Sequence, residues 1–337
     1  YAIVGGPYND DGGSGSGSAY IFVRSGTTWT QQAKLLASDA ASGDQFGLGV
    51  GIHGDYAIVG AWLNDDVGFG SNSGSAYIFV RSGTTWTQQA KLLASDARGG
   101  DNFSEEAVGI YGDYAVVGAH EEFDNNLYMQ GSAYIFVRSG TSWTQQAKLV
   151  ANDAAQSDKF GNNVGIHEDS VIVGAHQNDD GGSNSGSAYI FVRSGTTWTQ
   201  QAKLVANDDA SNDYFGVSVG ITSNTAVVGA HQNDGGATDA GSAYIFTRTG
   251  TTWTQQDKLL ASDAYWEDYF GYDVAISGVD IIVGAYENDD GGSESGSAYI
   301  FSGSYGTSTA TRPLEKWDSN INLDVSGNIY FSGDIIK

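Results

Sequence analysis

Three observations in the sequence predict an all-β fold, a β-propeller of four-stranded antiparallel blades. First, the stretch Gly74 to Leu92, GSAYIFVRSGTTWTQQAKL, recurs almost letter for letter from Gly17, Gly131, Gly186 and Gly241, and a sixth copy, Gly296 to Phe301, breaks off after one strand. The tryptophans of the complete copies, Trp29, Trp86, Trp143, Trp198 and Trp253, step by 57, 57, 55 and 55 residues, a period that marks a repeat architecture. Second, each unit holds four short strand-like segments separated by glycine-bearing turns. Third, in SAYIFV the alanine, isoleucine and valine point one way and the tyrosine and phenylalanine the other. A strand apolar on both faces needs a neighbour on each side, which blades stacked face to face provide.

The unit opening at Phe103 shows the four elements in order. Strand A runs from Phe103 to Tyr111 after an acidic loop, and the tight Gly112-Asp113 turn leads into strand B, Tyr114 to Ala119. Strand C is Ser132 to Arg138 and strand D is Trp143 to Leu149, joined through Ser139-Gly140-Thr141, a hairpin signal. Tyr1 to Leu36 supplies only B, C and D of a first blade. Blades two to five open at Phe46, Phe103, Phe160 and Phe215, and blade six at Phe270, its fourth strand falling to Thr309 to Trp317. Ile321 to Gly333 repeats the A–turn–B pattern of Gly49 to Gly60. That makes 25 strands where six blades need 24, so Ile321 to Ser326 is expected as the missing inner strand of blade one, with the last arm as an exit. Six blades are preferred over seven, which would need 28 strands. Residues 1–318 then form the propeller and 319–337 the closing strand and exit segment.

The chain has 337 residues, 48 glycines and 2 prolines, a balance suited to many tight turns between paired strands. It has no cysteine, hence no disulfide or thiolate metal site, and no apolar run long enough to cross a membrane as a helix. Forty acidic against 15 basic residues give a net charge of -25, which disfavours nucleic acid and membrane insertion and favours cations or basic partners. It opens on Tyr1-Ala2-Ile3-Val4, in mid-repeat and without a methionine, and so reads as part of a larger chain, with oligomerisation left open.

The units resemble the FG-GAP repeat, the blade of integrin α-subunit propellers and of many bacterial and viral surface proteins. The Phe-Gly half of the motif stands at Phe46-Gly47, Phe160-Gly161, Phe215-Gly216 and Phe270-Gly271; the other half is Val59-Gly60-Ala61, with copies at Gly118, Gly174, Gly229 and Gly284. Blade three departs with Phe103-Ser104. Many family members carry a calcium loop between strands A and B, but here that loop has shrunk to Gly54-Asp55, Gly112-Asp113 or Glu168-Asp169, too few oxygens for calcium. The tail from Asn320 to Lys337 resembles short strand repeats of viral and phage tail fibres.

In a meander the B–C and D–A loops emerge at one face and the A–B and C–D turns at the other. The first face is expected to be acidic. Its Asn-Asp-Asp-Gly-Gly loops offer Asp10, Asp11, Asp65, Asp66, Asp179, Asp180, Asp234, Asp289 and Asp290 as hard oxygen ligands for Ca2+ or another cation, although Asn, Asp and Gly are equally good turn formers. The pairs Asp39/Asp44, Asp96/Asp101, Asp153/Asp158, Asp208/Asp213 and Asp263/Asp268 recur evenly, as scaffolding would. Blade-specific residues speak more directly of a ligand. After the Gly-Ala pair come Trp62, His120, His176, His231 and Tyr286, able to hold a metal or stack on a sugar, and blade three adds a contact patch with Phe123 and Tyr128.

No catalytic constellation stands out: no Cys nucleophile, HExxH, P-loop or GxSxG elbow is present. The reading is a non-enzymatic adhesion or receptor-binding propeller at an extracellular, cell or virion surface, its partner a cell-surface glycan or protein receptor. A structural spacer is the alternative, and a polysaccharide-active hydrolase the third.

Overall fold

The structure, a computed structural model, describes residues 1–66, 70–123 and 127–303, together with the backbone of 315–317 and 329–331. It contains six four-stranded antiparallel sheets, three in each of two compact units, and its fold class is the six-bladed β-propeller predicted from the sequence.

The first unit holds β1 (Ala2–Gly6), β2 (Ser18–Ser25) and β3 (Thr28–Leu35); then β4 (Val50–His53), β5 (Tyr56–Ala61), β6 (Ser75–Ser82) and β7 (Thr85–Leu92); then β8 (Val108–Tyr111), β9 (Tyr114–Ala119), β10 (Ser132–Ser139) and β11 (Ser142–Leu149). The second holds β12 (Phe160–His167), β13 (Ser170–Ala175), β14 (Ser187–Ser194) and β15 (Thr197–Leu204); β16 (Val219–Ile221), β17 (Thr225–Ala230), β18 (Ser242–Thr249) and β19 (Thr252–Leu259); and β20 (Phe270–Ser277), β21 (Asp280–Ala285), β22 (Ser297–Ser302) and β23 (Glu315–Trp317). The last strand, β24 (Ile329–Phe331), returns to the first unit and pairs antiparallel with β1, Ala2 opposite Phe331.

That pairing corrects one expectation. Strand A of blade one is Ile329–Phe331, not Ile321 to Ser326, which falls outside the described residues. The tail has two arms of similar alternation, and the chain uses the second. Blade six does draw its fourth strand from the predicted stretch, at Glu315–Trp317.

A second correction concerns strand A. In blades two, three and five it starts at Val50, Val108 and Val219, several residues after the phenylalanine. The reason is local. Gly47 and Gly216 sit at φ +104° and +92°, in the left-handed region that interrupts a ladder, and even where the strand does begin at the phenylalanine the register slips between Phe160 and Val164.

The two apolar faces of strand C go where the alternation sends them. Ala19 and Ile21 of blade one meet Phe46, Tyr77 and Phe79 of blade two in one buried cluster, and the same pairing recurs between blades two and three, four and five, and five and six. Phe46 packs edge-on against Tyr77 and Phe79, with ring centroids 5.5 and 6.0 Å apart. Full burial of each such ring is worth about 1.5–3 kcal/mol.

The paired glycines are explained by the same stacking. The Gly47 amide donates to the Gly60 carbonyl of its own blade (2.8 Å), while the Gly47 carbonyl lies where a Cβ on Gly5 of blade one would be. Gly174 faces the Gly216 carbonyl and Gly229 the Gly271 carbonyl in the same way. These three Phe-Gly turns thus seat on the glycine-bearing pair of the blade before, Gly-Gly in blade one and Gly-Ala in blades four and five. Blade three tolerates serine here at φ +78° because the Ser104 hydroxyl donates to the Ser75 carbonyl (2.7 Å) and accepts from the Ala61 amide (3.2 Å), both in blade two.

Candidate functional site

The repeated polar letters are bonded either to a neighbouring blade or within their own. The Trp86 indole donates to Gln32 (3.0 Å), Trp143 to Gln89 (2.9 Å) and Trp253 to Gln201 (3.0 Å). The other glutamine of each pair reaches back, Gln88 accepting from the Ser38 amide (2.9 Å) and Gln145 from the Ser95 amide (2.9 Å). At the A–B turns, Arg81, Arg138 and Arg193 pair with Asp55, Asp113 and Asp169.

The repeated acids of the B–C and D–A loops are occupied likewise. Lys91 donates to Asp39 (2.7 Å), Asp66 (2.6 Å) and Asn64 (3.0 Å), lying over the ring of Tyr77, whose hydroxyl donates to Asp39 (2.8 Å). Lys34 pairs with Asp11 and Lys203 with Asp153 and Asp180. The first aspartate of each loop closes its own turn: Asp10 accepts from the Gly15 amide (2.8 Å), Asp65 from Asn72 (2.7 Å), Asp179 from Asn184 (2.7 Å), Asp234 from Asp239 (3.0 Å) and Asp289 from Glu294 (2.7 Å). The Asp290 amide donates to Asn288 (3.3 Å). Among the described residues no three His, Asp or Glu side chains converge as a metal site.

In the D–A pairs of blades two to five the two acids have opposite electrostatics. Burial works against charge on Asp39, but hydrogen bonds from Lys91 and Tyr77 outweigh it and hold its carboxyl below the usual range; Asp96, Asp153 and Asp208 behave alike beside Lys148, Lys203 and Lys258. Burial pushes up Asp44, Asp158 and Asp213, each of which accepts a backbone amide and the side-chain amide of Asn64, Asn178 or Asn233. In blade three Glu122 takes the asparagine's place, bonded to Ser132 (2.7 Å) and Lys148 (2.8 Å), and Asp101 is pushed up to about 6 by burial and by the Glu122 charge.

The blade-specific residues singled out in sequence make contacts of their own. Half-buried Trp62 donates its indole N–H to Gln45 (3.1 Å). His120 lies 3.5 Å from Glu105 and 3.4 Å from Glu121. Phe123 and Tyr128, 40% and 51% exposed, meet edge-on at 6.3 Å beside Arg98, which donates to the Phe123 carbonyl (2.8 Å). In the second unit His176 and His231 flank the Tyr214 ring at 6.0 and 5.5 Å, so the two imidazoles are separated by a tyrosine. His231 also touches Tyr269 (5.7 Å) and Tyr272 (5.5 Å), and burial pushes its imidazole down to about 4. Tyr286 stacks on Tyr269 (5.4 Å, 13° between planes) and lies 4.5 Å from Tyr272.

Sequence reasoning missed Tyr214, Tyr269 and Tyr272, and also Tyr265 and Trp266, which are 67% and 57% exposed on the loop leading into blade six. The signal was present. Blade two carries Ala41-Ser42 where blade six has Tyr265-Trp266, and the residue before each Phe-Gly phenylalanine runs Gln45, Asn102, Lys159, Tyr214, Tyr269. The aromatic cluster therefore belongs to blades five and six, with Asp273 nearby on β20 accepting from Ser218 (3.0 Å) and pushed up by burial.

Four-stranded blades that repeat their interface letters and seat one blade's Phe-Gly turn on the Gly-Ala pair of the blade before define a repeat propeller. The FG-GAP repeat family matches residues 29–79, 86–136, 143–191, 198–246 and 253–301, and the chain belongs to that family. Each match spans the D strand of one blade and the A, B and C strands of the next, so the family unit is offset from the blade by one strand. Comparison with curated proteins returns no match.

Proposed function

We propose that this chain is a non-enzymatic binding propeller that works at an extracellular, cell or virion surface and recognises a glycan or protein receptor through its B–C and D–A loops. One observation carries the reading: on a scaffold whose repeated polar letters are bonded to one another, the side chains that differ between blades are large aromatics left exposed, Tyr265, Trp266, Tyr272 and Tyr286 in the second unit and Phe123 and Tyr128 in the first. Exposed Trp and Tyr beside one another are what binding hot spots are made of. The loop aspartates, engaged with lysines and backbone amides, support a scaffold role for themselves, which favours calcium-independent recognition.

Binding of the purified chain to arrays of glycans and of surface proteins, in calcium and in chelator, tests this. Retention of a partner that Trp266→Ala or Tyr286→Ala weakens is the expected result. Absence of any partner that these substitutions affect would favour the spacer, a reading that the near-uniform inter-blade bonds also suit.

A further inference from the structure

The loops of the second unit set five rings in an unbroken row across three blades. His176 of blade four lies 6.0 Å from Tyr214, Tyr214 lies 5.5 Å from His231, His231 lies 5.7 Å from Tyr269, and Tyr269 lies 5.4 Å from Tyr286, with 13° between the last two planes. The row alternates a residue from a B–C loop with one from a D–A loop, so it follows the blade period from blade four to blade six. Tyr272 packs beside its end, 5.5 Å from His231 and 4.5 Å from Tyr286.

Two of these rings are held at a cost. Tyr214 and Tyr269 both sit at φ +54°, a left-handed conformation uncommon for bulky side chains, whereas blade three has Asn102 at the same position, at +53°, where asparagine is at ease. Strain of this kind gathers where a side chain is needed for what it presents. At the end of the row Tyr272 and Tyr286 are 41% and 46% exposed, and Tyr265 and Trp266, on the D–A loop that carries Tyr269, are 67% and 57% exposed.

Area and charge decide which partner suits the row. Tyr265, Trp266, Tyr272 and Tyr286, exposed to this degree, offer about 400 Å² together. That is half of the roughly 800 Å² that each partner of a stable protein complex covers. A sugar needs less. The C–H groups on the flat side of a pyranose, polarised by its oxygens, rest on the negative face of an aromatic ring, and phenol hydroxyls at the ring edges can bond the sugar's own hydroxyls. The net charge of -25 repels sugars that carry carboxylate or sulfate. We propose that this row binds a neutral oligosaccharide, stacked on Tyr286, Tyr272 and Trp266 and extending along the row towards Tyr214. The proposal rests on the binding-propeller reading and narrows its ligand to an uncharged glycan.

The test titrates the full chain calorimetrically with the monosaccharides and hexasaccharides of glucose, mannose, galactose and N-acetylglucosamine, and with hexagalacturonate as the charged control. At least one neutral hexasaccharide is expected to bind, about fivefold or more tightly than its monosaccharide, and hexagalacturonate is not. Tyr286→Ala and Trp266→Ala should each weaken that hexasaccharide about fivefold, with Tyr286→Phe close to the parent. Val279→Ser, at a residue 56% exposed on the A–B turn of the same blade, should leave binding unaltered. If Tyr286→Ala disturbs folding by circular dichroism, Trp266→Ala decides alone. Binding that neither alanine variant weakens, a monosaccharide as tight as its hexamer, or preference for hexagalacturonate would overturn the proposal. A protein partner lost on Trp266→Ala while no neutral saccharide binds would overturn it yet leave the binding propeller standing, whereas absence of any partner, sugar or protein, that these substitutions affect would remove both.

Discussion

The clash between Asp101 and Glu122 gives a sharp prediction about stability. Asp101 is 4% exposed and its carboxyl is pushed up from 3.8 to about 6, burial first and the Glu122 charge next, against a hydrogen bond from the Arg98 amide. A carboxyl with a folded pKa above its unfolded value binds protons more tightly in the folded state. Its penalty is therefore absent below the unfolded value, grows as pH rises between 3.8 and about 6, and is complete above that. At about 1.4 kcal/mol per pKa unit the full penalty is about 3 kcal/mol. Asp101→Asn removes the charge, keeps an oxygen for the Arg98 amide (2.6 Å) and offers Glu122 an amide donor, recreating with roles exchanged the Asn64–Asp44 pair of blade two. Stability should rise by about 1–3 kcal/mol at pH 7.5 and by much less at pH 4.5. Denaturant unfolding at both pH values measures it. An equal effect at the two pH values, or destabilisation at pH 7.5, would refute the electrostatic reasoning.

Two further outcomes follow from the scaffold. Gly216→Ala places a Cβ against the Ser187 carbonyl at a φ of +92°, so a loss of roughly 2–4 kcal/mol is expected in the same unfolding assay, larger than for an alanine at the open Gly195. In acid, the depressed carboxyls of Asp39, Asp96, Asp153 and Asp208 give stability that is present above 3.8 and lost as pH falls through their folded values, while Asp44, Asp101, Asp158 and Asp213 give the opposite slope at higher pH. For these groups the melting temperature should thus peak near pH 4 and fall between about pH 4 and 6, and a maximum at pH 8 would contradict these assignments.

The blades were legible because their letters repeat for a physical cause. Tyr77, Phe79, Trp86, Gln88, Gln89 and Lys91 each touch a partner in an adjacent blade or loop, so one interface solved once is copied along the chain. What the period could not resolve was which arm of a two-armed tail would pair with β1, since both arms alternate alike. The starts of β4, β8 and β16 were hidden for another reason: the Phe-Gly turn keeps the apolar pattern of a strand while its left-handed residue interrupts pairing. The loop aspartates read as cation ligands because Asp-rich turns serve both purposes, and only coordinates reveal that Lys34, Lys91 and Lys203 already answer them. Tyr265 and Trp266 were overlooked because the D–A loops were read for their acids. Aligning those loops blade by blade exposes both residues at once.

That contrast between repeated and unrepeated letters suggests how scaffold and site can be separated by experiment. Replacing Tyr265-Trp266-Glu267 with the Ala-Ser-Gly of blade two removes two exposed rings and one carboxylate, but leaves the Asp268 side chain to accept the amide of residue 265 (2.8 Å) and the backbone bond from residue 267 to Thr238 (3.1 Å). Residue 267 sits at φ +60°, where glycine is at ease and glutamate is strained, so the graft should cost no stability and even gain a few tenths of a kcal/mol. If blade six carries the site, partner binding should fall tenfold or more at an unchanged or slightly raised unfolding midpoint. A graft that binds as well as the parent would mean that these aromatics are incidental, and a graft that unfolds early would mean that the loop belongs to the scaffold after all.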